Sequence, residues 1–243
     1  MSQSSLRFGV LTPSSNTALE PLTCAMLADI EQVSAHFSRF RVTHISLEPE
    51  ALGQFDDRPI LAAAKLLADA KVDVIGWSGT SAGWLGFEHD VELCKRIEEA
   101  TNIPATSSIL ALNERLQEDN ISQLGLVSPY VADVQSRIVE NYQGIGISCV
   151  AESHLNISDN FAFAEVSEAR LTDQVETVAK ATPQAIVTYC TNLNAAHLVA
   201  DWESTFGIPV LDTTATVVWK MLRMTSVEPG RVRGWGSLFR QEA

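Results

Sequence analysis

Short apolar runs alternate along the chain with stretches of mixed polarity. LRFGVL (6–11) and RVTHISL (41–47) read as strands, and VDVIGW (72–77) as a strand buried on both faces. PLTCAMLADI (21–30), ILAAAKLLADA (60–70) and DVELCKRIEEA (90–100) read as helices. The second of these is built from Ala, Leu and Lys, which are strong helix formers. Strands alternating with helices predict parallel sheets covered on both faces.

The second half repeats this order. QLGLVS (123–128) answers LRFGVL, and QAIVTY (184–189) answers VDVIGW. HLVADWESTFGIP (197–209) answers LCKRIEEATNIP (93–104). Both of these end in Ile-Pro and run into Ser/Thr-rich helix starts, ATSSILALNERL and LDTTATVVWKML. The offsets agree: 114 from Ser14 to Ser128, 111 from Gly79 to Cys190, 105 from Pro104 to Pro209. Three matched pairs in register predict a duplicated α/β unit. The expected architecture is two pseudo-symmetric, flavodoxin-like α/β/α lobes, each with a parallel sheet and with the site in the cleft between them. Residues 1–115 form the first lobe and 116–214 the second, with 215–243 packing back on the first.

In open α/β sheets, ligands bind beyond the carboxyl ends of the strands. Here those ends are chemically alike. TPSSNT (12–17) and SGTSAG (78–83) follow the first and third strands of one half, and SPY (128–130) and CTNLN (190–194) follow their counterparts. All four are small, polar and placed before a helix, where free backbone N–H groups favour an anion. A small carboxylate suits such a cleft. Neither a P-loop nor a GxGxxG fingerprint is present, so no nucleotide cofactor is expected.

Composition narrows the class. The chain has 243 residues, 46% of them hydrophobic, and a net charge of −13. That is enough to bury a large core. With no basic stripe, nucleic acid is an unsuitable partner. No apolar run approaches the ~18 residues of a membrane span. MSQSSLRFGVLTP lacks a charged segment followed by an apolar one, so no signal peptide is expected. The four cysteines are widely spaced, with no CxxC pair and no ligand cluster, so neither disulfide nor metal is expected. A cytoplasmic protein is the plain expectation, with homo-oligomerisation left open.

Cys190 ends an apolar run beside hydrogen-bonding residues. It reads either as a buried small hydrophobe or as a proton carrier. Cys24, Cys94 and Cys149 read as core filler. Tyr130 reads as a turn aromatic or as a hydroxyl aimed into the cleft. Ser14, Ser15, Thr80 and Ser81 are placed to cap helices or to bind an anion, and both uses share the same helix end. Asn16 and Asn160 read as turn residues or as ligands for a carboxylate. His89 and His197 read as surface or capping residues. Trp77 and Trp84 are core packing or an apolar pocket wall.

GVLTPSSNTALEP (9–21), SPYVADV (128–134), SDNFAFAEV (158–166) and YCTNL (189–193) together resemble, in this order, segments of the Asp/Glu racemase superfamily. The closer branch is the maleate isomerase and arylmalonate decarboxylase group. The resemblance implies that Asn16 and Asn160 are substrate-binding asparagines, that Tyr130 binds a carboxylate and that Cys190 is the catalytic cysteine of the second half. Two-cysteine members carry another thiol in the first half, where this chain has Gly79. Gly79-Thr80-Ser81 with a single later cysteine resembles the decarboxylases.

That likeness implies cofactor-independent loss of one carboxylate from a malonate-type diacid. The resulting enediolate is expected to sit on Thr80, Ser81, Tyr130 and the backbone at Cys190 and Thr191, with Ser14 and Asn192 in the carboxylate-binding set. Cys190 then protonates the carbanion. Asn16 and Asn160 match the isomerase side instead, and Thr191 stands where the decarboxylases have glycine. Maleate isomerisation or racemisation is therefore the competing expectation, and a non-catalytic carboxylate-binding protein the third. If the first-half thiol was lost from an isomerase-like ancestor, Gly79→Cys is expected to introduce proton exchange.

Overall fold

The computed structural model describes residues 5–240. The first half runs β1 (Leu6–Pro13), α1 (Leu19–Leu27), β2 (Val33–Phe40), α2 (Pro49–Leu52), α3 (Asp57–Asp69), β3 (Val74–Trp77), α4 (Ala82–Leu85), α5 (Phe87–Thr101), β4 (Ala105–Ser107) and α6 (Ser108–Glu118). The second runs β5 (Gln123–Ser128), α7 (Ala132–Gly144), β6 (Ser148–His154), α8 (Glu168–Ala179), β7 (Ala185–Thr188), α9 (Val199–Phe206), β8 (Val210–Asp212) and α10 (Thr213–Met224). The sheets have the orders β2-β1-β3-β4 and β6-β5-β7-β8, and every neighbouring pair is parallel. The chain thus forms the expected pair of matching parallel-sheet lobes.

The central strands β3 and β7 are buried along their whole length, which is why they read as unbroken apolar runs. α3 shows the helical logic. Asp56 caps it by accepting from the Arg58 N–H at 2.9 Å, and Ile60, Ala63, Ala64 and Leu67 form its buried stripe. Burying Ile60 and Leu67 contributes roughly 1.5–3 kcal/mol each.

The duplication extends to individual hydrogen bonds. α5 ends on Asn102 and α9 on Gly207, both in the left-handed conformation that closes a helix. One turn earlier, Glu98 accepts from the Ala105 N–H at 2.9 Å and Glu203 accepts from the Val210 N–H at 3.0 Å. The Pro104 and Pro209 carbonyls each accept at 2.9 Å, from the Ile75 and Ile186 N–H groups. Side chains then start the next helices: Ser107 accepts from Leu110 in α6, and Asp212 from Thr214 and Ala215 in α10. α10 crosses to the first sheet, where a Cβ at Gly76 would lie 2.7 Å from Val217 and 2.8 Å from Met221.

One expected strand is misplaced. The edge strand beside β1 is 33–40, and 41–47 is irregular apart from a single antiparallel bridge between His44 and Asp159. Its buried residues are Val42 and Ile45, three apart, so they do not follow a strand's alternation. The bridge ties this segment to the second lobe: Ile45 N–H donates to the Ser158 carbonyl at 2.8 Å, and Asn160 N–H to the Thr43 carbonyl at 3.0 Å. Among the described residues no helix is long and apolar enough to cross a membrane.

Candidate active site

The loops after β1, β3, β5 and β7 meet between the lobes. They enclose a small cavity with Cys190, Thr191, Gly79, Thr80, Ser81 and Tyr130 in its wall, together with Asn160. Its room is about 20 Å³, enough for a water molecule and little else. Val42, Ile45 and Phe55 from the 41–56 segment line it too, and the bridge to 158–160 ties that segment to the second lobe. No lining residue is cationic.

The polar groups are tightly interlinked. Thr80 Oγ1 and Tyr130 Oη are 2.6 Å apart, and the tyrosine hydroxyl also reaches the Cys190 thiol. The Asn192 N–H donates to Cys190 Sγ at 3.4 Å. Cys190 is 2% exposed. Burial pushes its thiol up to about 12, with the Asp212 charge adding to the rise. The Tyr130 hydrogen bond and the N–H groups of Asn192 and Leu193 pull the other way without prevailing. Near neutrality the sulfur carries its proton.

Ser14, Asn16 and Asn192 do not line the cavity. Ser14 Oγ accepts from the Val42 N–H at 3.2 Å. Asn16 Oδ1 accepts from Ala18 and Leu19 at the start of α1, and its Nδ2 donates to Thr191 Oγ1 at 3.4 Å. Asn192 Oδ1 accepts from the Thr17 and Ala18 N–H groups at 2.9 and 3.2 Å, while its Nδ2 donates to the Asn160 carbonyl. These side chains join the lobes behind the cavity wall. Asn160 Nδ2 donates to Ser15 Oγ at 2.7 Å.

The other residues singled out lie elsewhere. His89 stands beside Asp90 in the first turn of α5, and His197 pairs with Glu168. Cys94 and Cys149 pack as filler, buried and half-buried. Cys24 does not: it is exposed on the solvent side of α1, since the buried stripe there runs through Leu19, Leu22, Thr23, Met26 and Leu27. Among the described residues no three His, Cys, Asp or Glu side chains group to hold a metal.

Gly79 departs furthest from expectation. A Cβ there would lie 2.0 Å from Trp77 Cζ2 and 2.4 Å from Cε2 and Cη2. The indole occupies the space that a first-half thiol needs. A cysteine at 79 fits only if the Trp77 ring shifts, so the proton exchange expected of Gly79→Cys depends on that movement.

The arylmalonate decarboxylase family model matches residues 9–239. The chain belongs to that family. It is 29% identical over 246 residues to a maleate isomerase of Pseudomonas putida, covering 96% of each chain. It is 24% identical over 179 residues to the arylmalonate decarboxylase of Bordetella bronchiseptica, covering 72% of this chain and 75% of that one. Its fold superposes with a TM-score of 0.90 on a maleate cis-trans isomerase of Nocardia farcinica, a cysteine-to-serine mutant with a covalently bound succinylcysteine intermediate. That match has 24% identity and covers 99% of this chain and 100% of the other. The chain is an enzyme of the arylmalonate decarboxylase family.

In this family member the cavity owes part of its wall to residues that sequence reasoning passed over. Val42 and Ile45 reach it from a segment misread as a strand, and Phe55 from the turn after α2. Asp212 was also passed over. It is buried at the start of α10, accepting from Thr188 Oγ1 at 2.6 Å, and burial lifts its carboxyl to about 6 from an ordinary 3.8. The native state thus keeps a proton that the unfolded chain releases. Stability from this group is present below pH 3.8 and is lost as pH rises through about 6. The difference amounts to about 3 kcal/mol. Asp212→Asn keeps an acceptor for the helix cap and removes the titration. In urea unfolding across this range, the gap between variant and parent is expected to shift toward the variant as pH rises. Parallel curves would refute the assignment.

Proposed function

We propose that this protein decarboxylates a small 2-substituted malonate without a cofactor, using Cys190 as its one acid. The observation that carries this reading is the pairing of a buried, protonated Cys190 with an indole over Gly79 where a second thiol would stand. Breaking the bond to the departing carboxylate leaves its electron pair on the substrate as an enediolate. Thr80, Ser81, Tyr130 and backbone N–H groups are the donors for that charge, and preorganised donors of this kind are the main source of rate in such chemistry. Val42, Ile45 and Phe55 offer the apolar surface against which the leaving carboxylate sheds its hydration. Cys190 then gives its proton to the carbanion carbon and is reprotonated from solvent. One acid suffices, because no proton has to be removed first.

Maleate isomerisation is the second reading. It is favoured by the higher identity to maleate isomerases and by Asn160 in the cavity wall. A cysteine adduct, of which the succinylcysteine of the Nocardia protein is an example, needs a thiolate. A thiol lifted to about 12 is a poor source of one. Incubation with methyl-, vinyl- and phenylmalonate and with maleate, followed by NMR, separates the two. Carbon dioxide from a malonate is the expected outcome. Fumarate from maleate with no decarboxylation would establish the isomerase instead, and neither product would remove both.

A further inference from the structure

Two tryptophans in the cavity wall carry buried indole N–H groups that no described residue uses. Trp77 and Trp84 both line it, and both are buried, at 1% and 5% exposure. Neither Nε1 has a hydrogen-bond partner among the described residues. An indole nitrogen can only donate, so no change of tautomer relieves it. Buried donors are almost always paired, and each exception calls for an explanation. The same protein supplies the contrast: Trp202 Nε1 donates to Thr172 Oγ1 at 3.0 Å. Ser81 Oγ, in the same wall, is unpartnered as well.

The position of Trp77 adds a second observation. Its Cε2, the carbon that bears Nε1, lies 2.4 Å from the Cβ site of Gly79. The ring is held there by Phe40, whose centroid is 5.1 Å away with the planes tilted. The ring that carries the donor is therefore fixed beside Gly79, in the cavity that Cys190 also lines. Trp84 is held similarly, edge-on to Phe55 and Tyr130 at 5.8 and 5.3 Å.

We propose that the indole N–H groups of Trp77 and Trp84 bind a carboxylate of the substrate, and that Trp77 is a specificity-determining residue which replaces a thiol by a neutral donor. The inference rests on the reading that the cavity takes a small diacid, and it holds whichever reaction follows. With no cation in the wall, neutral donors are what the lining offers an anion. The bulk of the two rings restricts the substituent on that side, so small diacids are favoured over aryl ones.

The test uses succinate, a saturated diacid that neither reaction consumes. In 15N-labelled protein the Trp77 and Trp84 indole protons are expected to move downfield on titration with succinate, while that of Trp202 stays in place. Replacing Trp77 by its benzothiophene analogue keeps the bicyclic shape and removes the N–H. Succinate affinity is then expected to fall about tenfold, the lower end for losing a hydrogen bond to a charged group. The melting temperature should hold within a few degrees, because no internal hydrogen bond is lost. If succinate binds while the indole resonances stay fixed and the analogue binds equally well, the proposal fails and the diacid reading survives. If neither succinate nor methylmalonate binds, the diacid reading fails and takes the proposal with it.

Discussion

Replacing Cys190 with alanine is expected to slow turnover about a thousandfold while succinate affinity changes less than about threefold. The wide gap follows from the division of labour in the cavity. The thiol supplies a proton, and a positioned general acid contributes roughly 10²–10⁴ in rate. The binding groups sit on other loops: Thr80 and Ser81 after β3, Tyr130 after β5. Because burial lifts the thiol to about 12, the parent enzyme should keep its rate on the alkaline side to about pH 10. A thiolate nucleophile would instead speed up as pH rises. Stopped assays of product against pH, with the alanine variant beside the parent, decide the matter. An alanine variant at full rate would show that solvent delivers the proton and that Cys190 is packing.

Removing one of the paired hydroxyls should come next in size. Thr80→Val keeps the shape of the side chain and deletes one donor. Tyr130→Phe deletes the other and also frees the Cys190 sulfur from its hydrogen bond. Each is expected to lower kcat about 10²–10³-fold, the usual loss for one donor to a developing oxyanion. KM should move far less, because the charge these groups meet is greatest in the transition state. Their oxygens are 2.6 Å apart, so each positions the other and the double variant should lose much less than the product of the two. Steady-state kinetics on the two single variants and the double form the check. Strictly multiplicative losses would mean that the hydroxyls act separately.

Much of this arrangement was legible from residue order. β1, β3, β5 and β7 stood out because strands buried on both faces must be apolar throughout. The loops after them could be placed because parallel topology puts those ends on one side. β2 escaped because it lies at a sheet edge: of Val33–Phe40 only Ser38 and Phe40 are buried. β4 and β8, three residues each, merged with the helices that follow them. At the site, small polar loops revealed where Thr80, Tyr130 and Cys190 would gather. They did not reveal that Asn192 spends its side chain on the backbones of Thr17, Ala18 and Asn160. Nor did they show Trp77 over Gly79, because the path of an indole at a strand end depends on what Phe40, 37 residues earlier, leaves open. Contacts set by three-dimensional packing leave little trace in local pattern.

The absence of any cation from the cavity lining gives the chemistry a direction. In the proposed reaction a malonate brings two negative charges to a chain that already carries thirteen in excess. Dipoles can orient such a guest but cannot neutralise it, so the bound dianion is held at a higher free energy than an arginine clamp would allow. Neutral carbon dioxide carries no charge away, so the enediolate still bears both charges, and half of that burden goes only when Cys190 gives its proton to the carbon and takes another from solvent. The lining thus makes the starting complex uncomfortable, and the monoanionic product is left with less reason to stay.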